Sequence, residues 1–584
     1  MRQLPYHRHL LGRLVLRQEP PTFVHGWSFS GKVGEVVARR PEQVVPALRL
    51  LERRTEAGLH AAGFLSYEAA GALNGDLTTC TPHRFPLLWF GLFERRSAAP
   101  FPATSEPFEA SDWQPSLDAG RFAAAVASIR ELIAAGDCYQ VNLTMRQRFS
   151  FSGSPRSFFE ELRRCQPTPY NCYMEAENYR IISASPELFF SLEGGKLTTR
   201  PMKGTADRGR WFEEDEAQKK GLRESPKELA ENLMIVDLLR NDMGMVSRTG
   251  SVRVASLFDV ETHPTVHQMT STVESQVRER IAVPELLQAL FPCGSVTGAP
   301  KRRSMQIIAQ LEGSPRGLYT GCIGYLSPGA EAKFSVAIRT AVLDADTGRG
   351  EIGIGSGITF DSVAGDEYAE SLSKARFARL TAAEFHLIES LLYDEGYFLL
   401  YRHLERLARS AAYFSFPLAP GAAQGALEKA AQSLAGRQKV RLCLFKDGSI
   451  RCESAPITDP AQDATAAFAK ATVNSADPFL YHKTSRRGLY QQELAARPDL
   501  AEVIFLNERG EATEGATSNI VVLLDGALLT PPLASGLLPG VFRAELRARR
   551  AIKERVLTRH DLEGAKEIYL INSVRKWRRI RLVS

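Results

Sequence analysis

The stretch IGIGSGITFDSVAGDEYAESLSKARF, residues 352–377, decides how the first half of this chain is read. It opens with small residues at 353, 355, 356 and 357, which leave the backbone bare for the close approach of another group. EYAESLSKARF then takes on helical spacing, and Glu367 and Glu370, three apart, share one face of that helix. The same spacing returns in KELAENLMIVDLLRND (227–242), where Glu228 and Glu231 form a second pair on a second helix. Glycine-flanked strands beside helices that carry carboxylates make an α/β (α+β) protein with a cleft. If the two helices face each other, the carboxylates repel unless a cation is present, and oxygen ligands with open water positions suit Mg²⁺. Each pair taken alone also fits a solvated helix face.

Outward from that segment, 584 residues are too many for one hydrophobic core, so at least two domains are expected. The 44% hydrophobic and 24% charged composition is that of a folded soluble protein. No apolar run reaches membrane-spanning length, and the start MRQLPYHRHLLGRLVLRQEPP lacks a signal-peptide core, so a cytoplasmic protein without a membrane partner is expected. The eight cysteines show no paired metal-ligand spacing and read as reduced, mostly buried thiols. Basic clusters at Arg547, Arg549 and Arg550 and at 575–579 come with no nucleic-acid recognition motif, and they read as a solvated helix face or tail.

Short apolar runs between 20 and 100, AAGFLSYE and FPLLWFGLF among them, read as strands, and 102–117 reads as a polar surface linker. FAAAVASIRELIAAGD is a helix stopped at Gly136. FSVAIRTAVLD reads as one strand, and 419–437 as helical. Composition changes near 378–384. The expected organisation is an N-terminal lobe over 1–117, a catalytic region over 118–378 and a second domain over 384–584.

Within the first half, Lys203 lies in RPMKGTADRGR, where it is either a solvated amine or a nucleophile. Glu187, just beyond a strand in ISASPELFF, is placed for general acid work, and Arg339 on its strand could pair bidentately with a carboxylate. His263 and His267 have a spacing that suits zinc on a helix, but Pro264 between them argues against that helix; His267 is kept as a ligand contact. These residues describe a Mg²⁺-dependent enzyme acting on a small polycarboxylate.

At this point a resemblance enters. GDCYQVNLT (136–144), SASPELF (183–189), PMKGT (201–205), PTVHQM (264–269), FPCGSVTGAPK (291–301), GLYTGCIGY (317–325) and GSGITFDSVAGDEYAES (355–371) resemble the chorismate-utilising enzymes, the group of anthranilate synthase component I and aminodeoxychorismate synthase component I. The resemblance implies a two-lobed sandwich. It implies Mg²⁺ held by Glu231 and Glu370 with support from Glu228 and Glu367, and Glu187 helping the C4 hydroxyl of chorismate leave. Substrate contacts would come from His267, Thr297, Arg339, Lys374 and the backbone at Gly355 and Gly357. Lys203 resembles a nucleophile for ring C2 and stands where anthranilate synthases usually have alanine, which favours amination at C4.

In the second half, Lys483 in YHKTSRRGLY and Glu514 in NERGEATEGATSNIVVL are the minimum equipment of a pyridoxal phosphate site. Arg406 and Ser573 could serve a phosphate. Together with YRHLERLARSAAYFSF (401–416), LLTPPLASGLLPGVFR (528–543) and EIYLINSVRK (567–576), these segments resemble the class IV aminotransferase-like fold, a two-subdomain fold-type IV domain. Its members include branched-chain aminotransferases, D-amino-acid aminotransferase and aminodeoxychorismate lyase. The resemblance implies a Schiff base on Lys483, Glu514 on the pyridine nitrogen, Arg406 on the phosphate, and Thr517, Ser518, Asn519 and Ser573 lining the site. Lys576, where many relatives have glycine, leaves the substrate contacts open.

The two resemblances imply successive steps from chorismate to 4-aminobenzoate. No cysteine motif of a glutamine amidotransferase is present, so a separate glutaminase subunit is the expected partner. A homodimer through the C-terminal half is implied by its relatives. The alternatives are anthranilate synthase component I fused to an amino-acid transaminase, or a chain in which one domain serves as an inactive scaffold.

Overall fold

The computed structural model describes residues 22–82, 84–279, 281–379, 384–457 and 464–583. The stretch 1–21, read above for a leader, and the centre of the 378–384 boundary lie outside the described residues. Two compact units emerge, and they do not follow a single cut in the chain. Unit 1 holds the described residues before 205, those of 226–259 and those of 269–379; unit 2 holds 205–225, 260–268 and those from 384 onward.

Unit 1 is built on an extensive sheet assembly whose strands pair antiparallel. Arg349–Ile358 runs against Gln140–Gly153, with Gly355 opposite Thr144 and Gly357 opposite Asn142. Its other neighbour is Thr340–Asp344, which pairs in turn with Tyr179–Ser185. Ile352, Ile354 and Ile358 sink into a core with Phe122, Val126 and Ile129 of helix Ala119–Ala134. That helix is capped by Asp118, whose side chain accepts from the Arg121 amide, and Gly136 beyond it takes a φ of 82°. A second core gathers Val44, Leu48 and Leu51 of helix Pro41–Glu56 with Leu286, Leu287 and Leu290 of helix Val283–Leu290.

Two expectations are corrected. Residues 108–115 are not a free linker but a strand, Phe108–Pro115, laid against Gln140–Gly153. FSVAIRTAVLD is two strands, Glu331–Val336 and Thr340–Asp344, because Arg339 between them takes a left-handed φ of 48°.

Unit 2 contains a three-stranded sheet, Leu387–Tyr393, Gln438–Leu444 and Ile450–Pro456, covered by helices Leu400–Phe414 and Ala422–Ala431. It also contains an eight-stranded sheet in which Ala512–Gly515 pairs on both sides, closing the row where Glu514 faces Asn519. Val440, Leu442 and Leu444 point into the core of the smaller sheet, which turns Lys439 and Arg441 to its other face. The basic run at 575–579 lies largely on the strand Lys576–Leu582, not on a helix or tail. All eight cysteines are free, five of them buried. Among the described residues no helix is long and apolar enough to cross a membrane.

Candidate active sites

In unit 1 the bare backbone of the opening segment has a visible purpose. A Cβ on Gly357 would fall 2.9 Å from Lys203 Nζ and 2.3 Å from Gln140 Nε2, so glycine is what lets the lysine amine lie against the strand. Lys203 is fixed through its main chain: Asn232 Nδ2 donates to its carbonyl at 3.0 Å, and Ser271 Oγ donates to Asn232 Oδ1 at 2.6 Å. Asn232 is one residue beyond Glu231 on helix Pro226–Gly244, so the helix that carries the carboxylates also holds the lysine strand.

Burial holds the Lys203 amine below its ordinary pKa, and the charge of Lys374 adds to this, while Glu231, Glu187 and Glu370 oppose it. Glu187 is buried, and burial pushes its carboxyl up to about 7 against the hydrogen bond from Ser295 and the charge of Lys203. Ser295 Oγ donates to Glu187 Oε1 at 2.6 Å. Such a carboxyl can carry a proton at neutral pH, which is what a general acid needs.

Burial and the neighbouring Glu231 and Glu370 raise Glu228. For Glu370, burial resists ionisation, but Lys374 and Lys203 outweigh it and keep the carboxyl low. Lys374 Nζ lies 2.8 Å from Glu370 and donates to the Gly355 carbonyl at 2.9 Å. These carboxylates feel one another without a tight cage: among the described residues no three His, Cys, Asp or Glu side chains are grouped closely enough to hold a metal by themselves. An open magnesium site completed by water and substrate fits that donor set, since a cation would relieve the mutual repulsion of Glu228, Glu231 and Glu370.

Other expected residues sit differently. Glu367 is buried and accepts from Ser362 Oγ at 2.8 Å. Thr297 Oγ1 donates to the carbonyls of Cys293 and Gly294, holding its own turn together. Arg339 is desolvated, which lowers it to about 10, and it donates to Gln166 Oε1 at 3.0 Å, with no ion pair to a carboxylate among the described residues. His267, expected as a ligand contact, belongs to unit 2 and is fully buried, with Nε2 2.8 Å from Asp215 and Nδ1 3.2 Å from Thr262 Oγ1. Asp215 is also clasped by Arg208 at 2.7 and 3.0 Å. A roomier cavity of unit 1, about 570 Å³, is lined by Arg146, Arg316, Tyr319 and Gly353 and includes none of the expected catalytic residues.

In unit 2 all seven residues expected at the cofactor line one cavity of about 230 Å³: Arg406, Lys483, Glu514, Thr517, Ser518, Asn519 and Ser573. Burial, together with the charges of Arg487 and Arg406, lowers Lys483 to about 7. Glu514 is pushed up to about 7 by burial, with Arg487 and the Leu538 amide pulling the other way. It accepts from Asn519 Nδ2, the Leu538 amide and the Tyr490 hydroxyl at 3.2, 3.2 and 3.3 Å.

Arg406 is held by Glu389 through Nε at 2.9 Å and Nη2 at 2.7 Å and by the Pro539 carbonyl at 3.1 Å, leaving N–H groups for an anion. Glu502 accepts from both the amide and the hydroxyl of Thr517, at 3.1 and 2.7 Å. A Cβ on Gly540 would fall 1.8 Å from Asn519 Oδ1, so the wall of the cavity is bare backbone there. A buried carboxyl, an amine lowered to near neutrality and an oriented guanidinium in one cavity fit pyridoxal phosphate.

Several of these residues were not singled out from the sequence. Gln140 and Ser295 lie inside quoted motifs but carry no charge to mark them. Glu389 could have been found as the single carboxylate in the apolar run LIESLLY.

Comparison with known proteins agrees with both halves. Residues 21–379 match the chorismate binding enzyme family, and residues 387–583 match amino-transferase class IV. Aminodeoxychorismate synthase component 1 of Bacillus subtilis (strain 168) is 43% identical over 263 residues, covering 45% of this chain and 55% of that one. Anthranilate synthase component 1 of Aquifex aeolicus (strain VF5) is 41% identical over 266 residues, covering 45% and 53%. The chain thus spans about half the length of the curated relatives it matches. The crystal structure of anthranilate synthase component I from Streptococcus pneumoniae TIGR4 superposes with a TM-score of 0.53 at 27% identity, over 65% of this chain and 96% of that one. The chain belongs to the chorismate binding enzyme family and carries a class IV amino-transferase domain fused behind it.

Proposed function

We propose that this chain makes 4-aminobenzoate from chorismate in two steps, one in each unit. The observation that carries the reading is the Lys203 amine, desolvated, within electrostatic reach of Glu187, Glu231 and Glu370 and seated against Gly357. Relatives of similar identity act under both the aminodeoxychorismate and the anthranilate synthase names, so this lysine separates the two readings.

In unit 1 the neutral Lys203 amine adds to C2 of chorismate. Both ring double bonds shift by one position and the C4 hydroxyl departs as water, taking its proton from Glu187. Ammonia then adds at C4, both double bonds shift back and the Lys203 nitrogen leaves C2, giving 4-amino-4-deoxychorismate. Glu228, Glu231 and Glu370 would hold Mg²⁺, which would supply charge for the ring carboxylate. Ammonia would come from a separate glutaminase subunit.

In unit 2 pyridoxal phosphate would supply an electron sink for the amine-bearing ring carbon. Arg406, with Ser573, Thr517 and Ser518, would hold its phosphate, and Glu514 would keep a proton on its ring nitrogen. Lys483, released as a free amine, takes the proton from C4 of the ring. The enolpyruvyl oxygen leaves C3 as the enolate of pyruvate, which takes a proton at its methylene carbon, and the ring becomes aromatic.

The test is product analysis of the intact chain given chorismate, Mg²⁺, ammonia and pyridoxal phosphate. 4-Aminobenzoate and pyruvate in equal amounts are expected; anthranilate as the main product would sink the reading.

A further inference from the structure

The cavity around Lys483 does not end at the cofactor residues. A second cavity of about 210 Å³ shares Ser390, Lys439, Lys483, Arg487, Ala516 and Thr517 with the first, so the two lobes adjoin at the Lys483 side chain. Ile388 and Leu494 give this lobe aliphatic walls, and Arg441 stands in it.

The charges do not balance. The first lobe adds Arg575 to the cations, and Glu514 is the one carboxylate lining either lobe. Arg406 already answers the phosphate, with Glu389 behind it. Lys439, Arg441 and Arg575 are in no ion pair among the described residues. Arg441 faces Glu453 across the strand ladder without contact, and its Nε is buried with no hydrogen-bond partner. Desolvation and the charges of Arg575 and Arg441 hold the Lys439 amine below its ordinary pKa, so Lys439 senses both guanidinium groups.

Alternation along Gln438–Leu444 places Lys439 and Arg441 on the same face, about 7 Å apart, while Val440 and Leu442 anchor the strand in the core. Arg441 is half-buried while Lys439 and Arg575 reach solvent, and an anion brought between them would relieve the crowding of like charge.

The geometry points to Lys439, Arg441 and Arg575 as a carboxylate-binding face that selects a ring amine bearing two carboxylates over a monocarboxylate amino acid. This rests on the lyase reading of unit 2 and names what in that site recognises the substrate. One carboxylate would satisfy one cation and leave two repelling; the two carboxylates of one substrate, one on the ring and one on its enolpyruvyl side chain, would satisfy the group, and Ile388 and Leu494 would pack against the ring.

The test uses the full-length chain loaded with pyridoxal phosphate, titrated by calorimetry with benzene-1,3-dicarboxylate and, separately, with benzoate. The dicarboxylate is expected to bind at least about tenfold more tightly, and the preference to collapse to about parity in Lys439→Met/Arg441→Met. Equal affinities in the parent chain, or a preference that survives the double substitution, overturn the assignment. Cofactor stoichiometry and melting temperature are measured alongside; if the double variant fails to load, the single Lys439→Gln and Arg441→Gln variants carry the comparison, each expected to lose part of the preference. The lyase reading fails separately: a parent chain that prefers the dicarboxylate yet releases no pyruvate from 4-amino-4-deoxychorismate keeps the carboxylate face and loses the lyase.

Discussion

Lys203 and Lys483 are both amines that their surroundings push toward the neutral form, one against a strand and one in a cavity. Lys203→Ala removes the proposed nucleophile and is expected to lower formation of 4-amino-4-deoxychorismate by about 100-fold or more, measured with ammonia as donor. Glu187 gives a pH signature. Its carboxyl is raised to about 7, so the protonated fraction needed for general acid work is high at pH 6 and falls as the pH rises through 7. The first step should slow across that range, and Glu187→Gln should be slow, by about 100-fold or more, with that limb gone. For Lys483, lowered to about 7, the free amine grows over the same interval. Borohydride should fix the cofactor covalently to the parent chain and not to Lys483→Ala, as read by intact mass. Charged residues such as these were legible in the sequence because their motifs are dense. Ser295 and Gln140 were not, because a neutral side chain gains a charged partner only when folding sets it 2.6 Å from Glu187 or 3.5 Å from Glu231.

At the scale of elements, the opening segment did what its composition implied: a strand with a bare backbone followed by the carboxylate helix Ala364–Ser373. Gly357→Ala tests the strand. Its φ is not left-handed, so the backbone tolerates a side chain, but the added Cβ would sit on Lys203 Nζ and Gln140 Nε2. The first step should fall by about tenfold or more, while the melting temperature moves by only a few degrees, on the order of 1 kcal/mol for a displaced flexible side chain. The carboxylate pairs were half legible. Helical spacing put Glu367 and Glu370 on related faces, but an interval of three residues is about 60° short of a full turn, and that rotation turns Glu367 to Ser362 and leaves Glu370 with Lys374. Arg339 shows the limit of periodicity. Its flanks alternate as a strand does, and only the left-handed φ at that residue breaks them into two.

For the whole molecule, the two family matches end at 379 and begin at 387, and the boundary expected near 378–384 was drawn from composition alone. It gave no sign that 205–225 and 260–268 pack into unit 2, since such contacts join residues some 200 apart, like Arg208 and Tyr413. Two proposed catalytic lysines on one chain make a prediction that neither unit makes alone. Lys203→Ala should make no 4-aminobenzoate from chorismate but should convert added 4-amino-4-deoxychorismate to it. Lys483→Ala should accumulate 4-amino-4-deoxychorismate and release no pyruvate. Mixed in equal amounts, the two inactive chains should restore 4-aminobenzoate formation, because each keeps one intact site and the intermediate is a stable solute. Restoration should show a lag that shortens as protein concentration rises, since the second site meets the intermediate by diffusion and not by attachment to its source. A mixture that stays inactive, with both variants folded and the second loaded on its remaining residues, would refute two independent sites joined by a free intermediate.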